Sequence, residues 1–326
     1  MLRLIIFLVF IWRHKAQASL GDQSDIFNYC LDKCFERNCT QRLAKNDHKT
    51  SYELTQPFYL KLLGWDCESE CKYVCMWKTV RDFKVYYKEE APQFYGKWPF
   101  VRILGIQEPA SAIGSLFNFM ANYFMIKKMR KKMPKNSPFK QLWYFFGFIC
   151  LNTWFWSAVF HTRDTPFTER MDYFSAFLLV LTQFNTFFVR FWKLDNKNNS
   201  LMYLINSISI LFYVYHCNYL SSVHFDYGYN MSMNILVGLL NSFFWLAWCA
   251  WRYFKENVKY VWKCAFSIIL FDVLIVFEVF DFRPLWWSID SHAMWHLSTI
   301  VLPYFWYNFI IDDCIYLSRS NYQKFI

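Results

Sequence analysis

The segment QLWYFFGFICLNTWFWSAVF, which runs from Gln141 to Phe160, decides the fold class because none of its 20 residues carries a charge. The hydrocarbon core of a bilayer is about 30 Å thick, and a helix needs about 20 apolar residues to cross it. Of the 326 residues, 56% are apolar and 23% aromatic, a composition typical of membrane proteins. The segment therefore predicts a membrane-spanning helix.

Similar apolar runs recur along the chain, and together they predict seven spans. These are Pro109–Ile126, Gln141–Phe160, Pro166–Trp192, Leu201–Leu220, Ser232–Trp251, Tyr260–Phe280 and Trp287–Ile311. The predicted fold class is an all-α membrane protein, with a seven-transmembrane helix bundle preceded by a small disulfide-rich luminal domain. We expect a signal peptide at 1–18, the luminal cysteine-rich domain at 19–98, the seven-transmembrane domain at 99–316 and a cytosolic tail at 317–326.

The N-terminus has the features of a cleavable signal peptide. Arg3 precedes an apolar stretch, Leu4–Trp12, which is far shorter than a span, and the small-x-small triplet Ala16–Ala18 follows. The basic Arg13–Lys15 before the cleavage site is unusual, and an uncleaved anchor is the alternative. Either interpretation delivers the next segment to the secretory lumen.

The luminal segment holds six of the 11 cysteines, and an oxidising compartment would join them as about three disulfides. The candidates are Cys30, Cys34, Cys39, Cys67, Cys71 and Cys75. A zinc cluster is the competing interpretation, but the usual C-x2-C spacing is absent. Asn38 begins an Asn-Cys-Thr glycosylation sequon, which also indicates luminal exposure.

Basic residues orient the predicted spans. The segment 127–140, KKMRKKMPKNSPFK, holds seven Lys/Arg and no acid, and loops on the same side of the membrane add further cations. By the positive-inside rule this side is cytosolic, so the N-terminal domain is luminal and the C-terminus cytosolic. We interpret the basic segment as an orientation signal, and nothing else in the sequence indicates binding of nucleic acid.

Polar residues gather near the luminal ends of three predicted spans. Ser157 and His161 are four residues apart, so they share one face of a helix. Asp172 follows about two turns into span three, and His292 and His296 are again four apart near the start of span seven. The orientation places all five side chains at one membrane depth.

A zinc site is the chemistry that this set favours. Singly, each residue has a structural explanation, such as a serine bonded to a backbone carbonyl or an acid near a helix N-terminus. Such explanations are weaker for the five residues together, because ionisable groups inside a bilayer are costly and usually face a cavity or a partner. Three histidines and one water form the open tetrahedral site of a catalytic zinc ion. We therefore expect His161, His292 and His296 to bind Zn2+, with Ser157 and Asp172 as catalytic groups.

Two other interpretations of the same residues are weaker. A triad of Ser157, His161 and Asp172 would leave the other two histidines without a role, and no G-x-S-x-G turn surrounds the serine. Haem binding needs axial ligands on facing helices, which three histidines at one depth fit less well.

Several nearby polar residues are placed outside the predicted site. Asp272 and Glu278 in span six are expected to form helix-packing hydrogen bonds rather than to contact substrate. His216 and His224 lack the spacing pattern, and Arg163 and Asp164 are expected to be solvated loop residues near the lipid headgroups.

The motifs resemble those of a known group of membrane enzymes. S-x3-H at Ser157, an aspartate at Asp172 and H-x3-H at His292 resemble the CREST superfamily of seven-span hydrolases. Longer strings, namely GIQEPAS at 105–111, WFWSAVFHTRDTPFTERMDYF at 154–174 and DFRPLWWSIDSHAMWHLST at 281–299, resemble the post-GPI-attachment-to-proteins factor 3 family within it. Together with the cysteine domain, the resemblance covers roughly 30–316.

The resemblance implies lipid remodelling of GPI-anchored proteins, whose sn-2 unsaturated acyl chain would be removed by phospholipase A2-like ester hydrolysis. It implies the same zinc ligands and catalytic groups that the residue pattern predicts. Membrane lipids are the other expected partners. The expected location is the Golgi membrane, with the endoplasmic reticulum as the alternative. Other functions left open are a non-catalytic seven-span lipid-binding or receptor protein with a structural zinc, and a ceramidase-like amidase.

Overall fold

The computed structural model describes residues 19–39, 56–194, 200–222 and 225–323. Within these ranges the regular structure is helical, and β-structure is limited to three isolated bridges. The all-α fold class is therefore confirmed. The predicted signal peptide, the last three residues of the predicted tail and His224 lie outside the described residues.

The described chain divides into two compact units. The N-terminal unit extends to Ala110 and includes two short segments from later in the chain, His161–Asp164 and Asp281–Ser291. The helical unit comprises Ser111–Phe160, Thr165–Phe280 and the chain from His292 onward.

Disulfides hold the N-terminal unit together. Its helices are α1 (Leu20–Gln23), α2 (Asp25–Asn38), α3 (Phe58–Leu62) and α4 (Cys67–Asp82). The spacing of the cysteines places three on one face of α2 and three on one face of α4. The antiparallel helices are joined by the pairs Cys30–Cys75, Cys34–Cys71 and Cys39–Cys67. All six predicted cysteines are thus paired, and their sulfurs are not thiolates available to zinc.

Long helices form the second unit. They are α5 (Pro109–Lys132), α6 (Lys140–Thr162), α7 (Pro166–Phe191), α8 (Ser200–Ser222), α9 (Tyr227–Phe254), α10 (Trp262–Leu274), α11 (Val276–Val279), α12 (Ser291–Ser298) and α13 (Leu302–Gln323). Five helical stretches among the described residues are long and apolar enough to cross a membrane: α6 to α9, and Lys259–Val279 around α10. The protein is therefore a multi-pass membrane protein. α5 and α13 occupy the predicted first and seventh positions without meeting that criterion, so the count of seven stays a prediction.

Two helix boundaries differ from the predicted ones by a few residues, and one predicted span is interrupted, each for a local reason. α5 continues to Lys132 and α6 begins at Lys140, so six of the seven cations in the predicted basic loop are helical. The predicted seventh span begins at Ser291 instead of Trp287, after an irregular loop. It is then interrupted by a 3-10 turn, Thr299–Val301, because Pro303 has no N–H to donate to the carbonyl of Thr299.

The core of the helical unit is aromatic and lies towards the basic end of the helices. Trp143, Trp245 and Phe309 are buried with almost no exposure. A buried ion pair joins α7 to α13 beside them, since Arg190 donates from Nε and Nη2 to the two oxygens of Asp313 at 2.6 and 2.7 Å. The candidate site lies at the opposite ends of the helices from this core.

Candidate metal centre

Two histidines of α12 face each other at close range in the helical unit. Their i,i+4 spacing on one helix brings the Nε2 atoms of His292 and His296 to 2.9 Å apart. The Nδ1 atom of His292 donates to Oε2 of Glu278 at 2.7 Å, because a carboxylate can only accept. In neutral His292 this bond leaves the lone pair on Nε2.

A serine hydroxyl fixes the second histidine. Ser115, which is fully buried, lies 2.8 Å from the carbonyl of Ser111, 3.0 Å from Oγ of Ser157 and 3.3 Å from Nδ1 of His296. Its single hydrogen is donated to the carbonyl, so the other two groups donate to its oxygen. Nε2 of His296 therefore also carries a lone pair, directed at that of His292.

α5 packs closely against α12 through a glycine and an asparagine. Gly114 allows close approach, because an added Cβ would lie 2.7 Å from Cβ of His296. Asn118 donates to the carbonyl of His296 at 2.6 Å and to Oγ1 of Thr299 at 3.2 Å. The first of these bonds satisfies a backbone carbonyl at the point where α12 gives way to the 3-10 turn.

In the N-terminal unit, a buried carboxylate fixes the third histidine. Oε2 of Glu108 accepts from Nδ1 of His161 at 2.7 Å, and its Oε1 accepts from Lys97 at 2.7 Å. Asp164 forms a second ion pair with Lys97 at 2.7 Å. The backbone N–H of Glu108 also donates to the carbonyl of His161 at 2.9 Å, which caps the end of α6.

Charge pairing controls the protonation of this group. Burial raises the pKa of the Glu108 carboxyl, but the charge of Lys97 and the hydrogen bond from His161 outweigh burial and hold the pKa well below its usual range. Burial lowers the pKa of Lys97, and the carboxylates of Glu108 and Asp164 reverse this and raise it above its usual value. Glu108 is therefore a carboxylate that accepts from Nδ1 of His161.

The model for the Per1-like family matches residues 57–314. The chain belongs to the Per1-like family. It is 40% identical over 311 residues to a Bos taurus protein named "GPI-specific phospholipase A2-like PGAP3", with 95% of this chain and 93% of the relative covered. The Homo sapiens protein of that name is 39% identical over 95% of this chain and 94% of its own. A Drosophila melanogaster protein named "Post-GPI attachment to proteins factor 3" is 35% identical, over 89% and 87%. No solved structure matches the chain.

Within the helical unit of this Per1-like protein, four of the five predicted site residues lie near the same ends of the helices: Ser157, Asp172, His292 and His296. His161 lies one turn after Ser157 on α6, as the sequence predicted. Asp172 lies near the start of α7, three residues before Ser175, whose carbonyl accepts from Thr153 of α6 at 2.9 Å. Because α6 and α7 are antiparallel there, this contact puts Asp172 level with Ser157, one turn beyond Thr153.

Two expectations about the loop after α6 are wrong. Arg163 and Asp164 are not solvated loop residues. Arg163 stacks on the Trp65 ring, with its guanidinium carbon 4.1 Å from the ring centroid, and donates to Oγ of Ser69 at 2.9 Å. Asp164 is paired with Lys97 and its side chain is 25% exposed. Both residues therefore pack against other parts of the N-terminal unit and are only partly exposed.

Sequence reasoning missed the groups that orient the histidines. Glu108 and Ser115 were not singled out, although an acid directly before the Pro109 helix start is a signal that could have found the first. Asp272 does form the predicted packing bond, accepting from Ser242 at 2.8 Å, whereas Glu278 instead accepts from His292.

The donor set of the Per1-like site fits a metal ion. Each histidine, His161, His292 and His296, is a candidate ligand, and each has Nδ1 bonded to an oxygen that leaves Nε2 to bind. A second hydrogen bond of this kind is the usual support of a metal-binding imidazole. The Nε2 atoms of His292 and His296 lie 2.9 Å apart, close enough to share a proton or to bind one metal ion together. In tetrahedral zinc sites with ~2.0 Å bonds, ligand nitrogens are roughly 3.3 Å apart.

Proposed function

We propose that the protein remodels GPI anchors by removing the sn-2 unsaturated acyl chain through zinc-dependent, phospholipase A2-like ester hydrolysis. His161, His292 and His296 would bind one Zn2+ ion, and Ser157 and Asp172 would act on the substrate. GPI-anchored proteins are the proposed substrates, met at the luminal face of the Golgi membrane or, alternatively, of the endoplasmic reticulum.

The proposal rests on one observation, which is that all three histidines have the same hydrogen-bonding arrangement at Nδ1. Glu108, Glu278 and the Ser115 hydroxyl each accept from an Nδ1 atom, so every Nε2 is left as a neutral ligand. Three neutral imidazoles with supporting acceptors are typical of catalytic rather than structural zinc, which is usually closed by four protein ligands.

The protein's own residues would carry out the proton transfers. A bound zinc ion would supply Lewis acidity and make water reactive near neutral pH. Asp172 would take a proton from the attacking water while the water oxygen forms a bond to the ester carbonyl carbon. The Ser157 hydroxyl, which donates to Ser115 in this structure, would turn to donate to the carbonyl oxygen as negative charge develops there. Asp172 would then return the proton to the departing glycerol oxygen as the ester bond breaks.

The names of the relatives and the membrane location support the substrate. Proteins called GPI-specific phospholipase A2-like cover nearly the whole chain at about 40% identity. With the predicted orientation, the site lies near the luminal surface, where the lipid of a GPI-anchored protein has its ester bonds. Ester rather than amide cleavage rests on these relatives.

Cells that lack GPI fatty-acid remodelling provide the test. We expect wild-type protein to restore removal of the sn-2 chain, measured by mass spectrometry of the lipid from a purified GPI-anchored reporter. His292→Ala and Asp172→Asn should lower remodelling at least 100-fold. Asp312→Asn is the matched control and should support normal remodelling, because Asp312 of α13 pairs with Lys263 of α10, away from the histidines.

Equal remodelling by Asp172→Asn and the control, at equal expression, would remove the enzymatic proposal and leave a non-catalytic lipid-binding protein. Cleavage of ceramide instead of the GPI ester by the purified protein would indicate the amidase. Two results together would indicate the serine-nucleophile mechanism. Ser157→Ala would lose activity while retaining all of its zinc, and an acyl group would be trapped on Ser157 of the wild type.

A further inference from the structure

A cavity of about 800 Å³ lies within the helical unit, away from the histidines. Its walls come from the turn before α6, the first turns of α6, and the facing sides of α7 and α8. Lys140 begins α6 and Ser157 follows 17 residues later, which separates the two sites by about 25 Å along the helix. The cavity is therefore a separate feature of the protein, at the basic end of the helices.

The length of the cavity matches one leaflet of a bilayer. On α7 its lining runs from Leu178 to Val189, and on α8 from Met202 to Tyr213. Eleven residues of helix span about 17 Å, which is close to half of the ~30 Å hydrocarbon core. Most of the side chains along this length are apolar, so an acyl chain could lie between α7 and α8 with its end near the bilayer centre.

The mouth of the cavity is positively charged. Lys135 and Lys140 line it, and the described lining includes no Asp or Glu. Nζ of Lys140 donates to the carbonyl of Lys135 at 3.2 Å, which keeps the ammonium group at the mouth. Basic pockets between transmembrane helices on the cytosolic side are suited to anionic lipid headgroups.

Polar side chains follow at the next depth. Asn185 and Asn206 lie about one turn further in than Val189 and Met202, on facing sides of the cavity. Nδ2 of Asn185 donates to Oγ of Ser209 at 2.9 Å. Cation, amide and apolar wall thus follow one another in the order of the phosphate, ester and acyl groups of a phospholipid.

We propose that this cavity binds an anionic phospholipid of the leaflet at the basic end of the helices. Its phosphate lies at Lys135 and Lys140, and one acyl chain lies between α7 and α8. The proposal is independent of the reaction at the histidines.

Native mass spectrometry of the full-length protein tests the lipid site. The protein is reconstituted in nanodiscs of equal phosphatidylserine and phosphatidylcholine with identical acyl chains, then released in the spectrometer. We expect one retained phosphatidylserine. Lys135→Gln with Lys140→Gln should weaken its retention about 30-fold, since each lysine near an anionic surface contributes about fivefold.

The matched control is Lys131→Gln with Lys132→Gln, which removes the same charge from exposed positions in the last turn of α5, outside the lining. It should change retention less than about threefold. Asn206→Trp, which fills the cavity and keeps both lysines, should abolish retention. Equal retention of the two lipids, or equal loss in both lysine pairs, would overturn the proposal. A fully retained lipid in a folded Asn206→Trp protein would also overturn it.

Discussion

Glu278→Gln should weaken zinc binding without unfolding the protein. The carboxylate can only accept a hydrogen bond, which forces the Nδ1 of His292 to donate. An amide can donate instead, and the histidine can then place its hydrogen on Nε2, where the ion must bind. The substitution changes one atom of the side chain and almost none of its volume.

Exposure sets the expected size of the effect. Loss of such a supporting partner typically costs 10–100-fold in metal affinity. The Glu278 and His292 side chains are 23% and 37% exposed, so water can replace part of the lost bond. Glu108 and His161 are 7% and 1% exposed, and water cannot enter there. We expect about a 10-fold loss for Glu278→Gln, or roughly 1.4 kcal/mol, and about a 100-fold loss for Glu108→Gln.

The assay is competition for zinc against a chelator of known affinity, with GPI remodelling in deficient cells as the second measurement. Asp272→Asn is the control, because Asp272 precedes Glu278 by six residues and accepts from Ser242 rather than from a histidine. Zinc affinity should be normal in this variant. The reasoning is refuted if Glu278→Gln binds zinc like the wild type, if the control loses as much, or if the more exposed pair shows the larger effect.

The remaining predictions concern close packing, the buried ion pair and the metal. Gly114→Ala should lower stability by about 1–3 kcal/mol and reduce remodelling, because the new Cβ meets Cβ of His296 at 2.7 Å. Gly147→Ala should cost less in the same thermal melts, because its Cβ meets the side chain of Ile126 at 3.0 Å and the hydroxyl of Tyr307 at 3.4 Å. Asp313→Ala should destabilise the helical unit by about 3–5 kcal/mol, because it leaves Arg190 buried without its partner, and a melt within 1 kcal/mol of wild type would contradict this. Chelation should abolish remodelling by the purified protein and added zinc should restore it, whereas activity that survives removal of all measurable zinc would exclude the metal.

Periodicity and spacing predicted the elements that depend on neighbouring residues. An uncharged run such as Gln141–Phe160 has no stable alternative to a helix in lipid, and α6 contains it entirely. Four-residue spacing put Ser157 and His161 one turn apart on α6 and placed His292 beside His296. These are consequences of helix geometry alone, so one sequence was sufficient to predict them.

Contacts between distant residues were not predictable in this way. Glu108 and His161 are 53 residues apart, and nothing local marks them as partners. Arg163 and Asp164 are charged residues in a short connection, which is the usual signature of a solvated loop. Only the folded N-terminal unit, with Trp65 and Lys97 beside them, shows that they are packed.

The orienting groups also explain how a divalent ion could be held by uncharged ligands near a membrane. Three neutral imidazoles leave the full charge of Zn2+ uncompensated, and an unbalanced charge is costly where the dielectric constant is low. Glu108 and Glu278 each accept from Nδ1 of a proposed ligand, and the two negative charges would together balance a bound ion. The charge of Lys97 outweighs burial and holds the pKa of Glu108 well below its usual range, which favours the carboxylate. This charge balance would leave Asp172 to exchange protons with water, the role proposed for it, rather than to neutralise the metal.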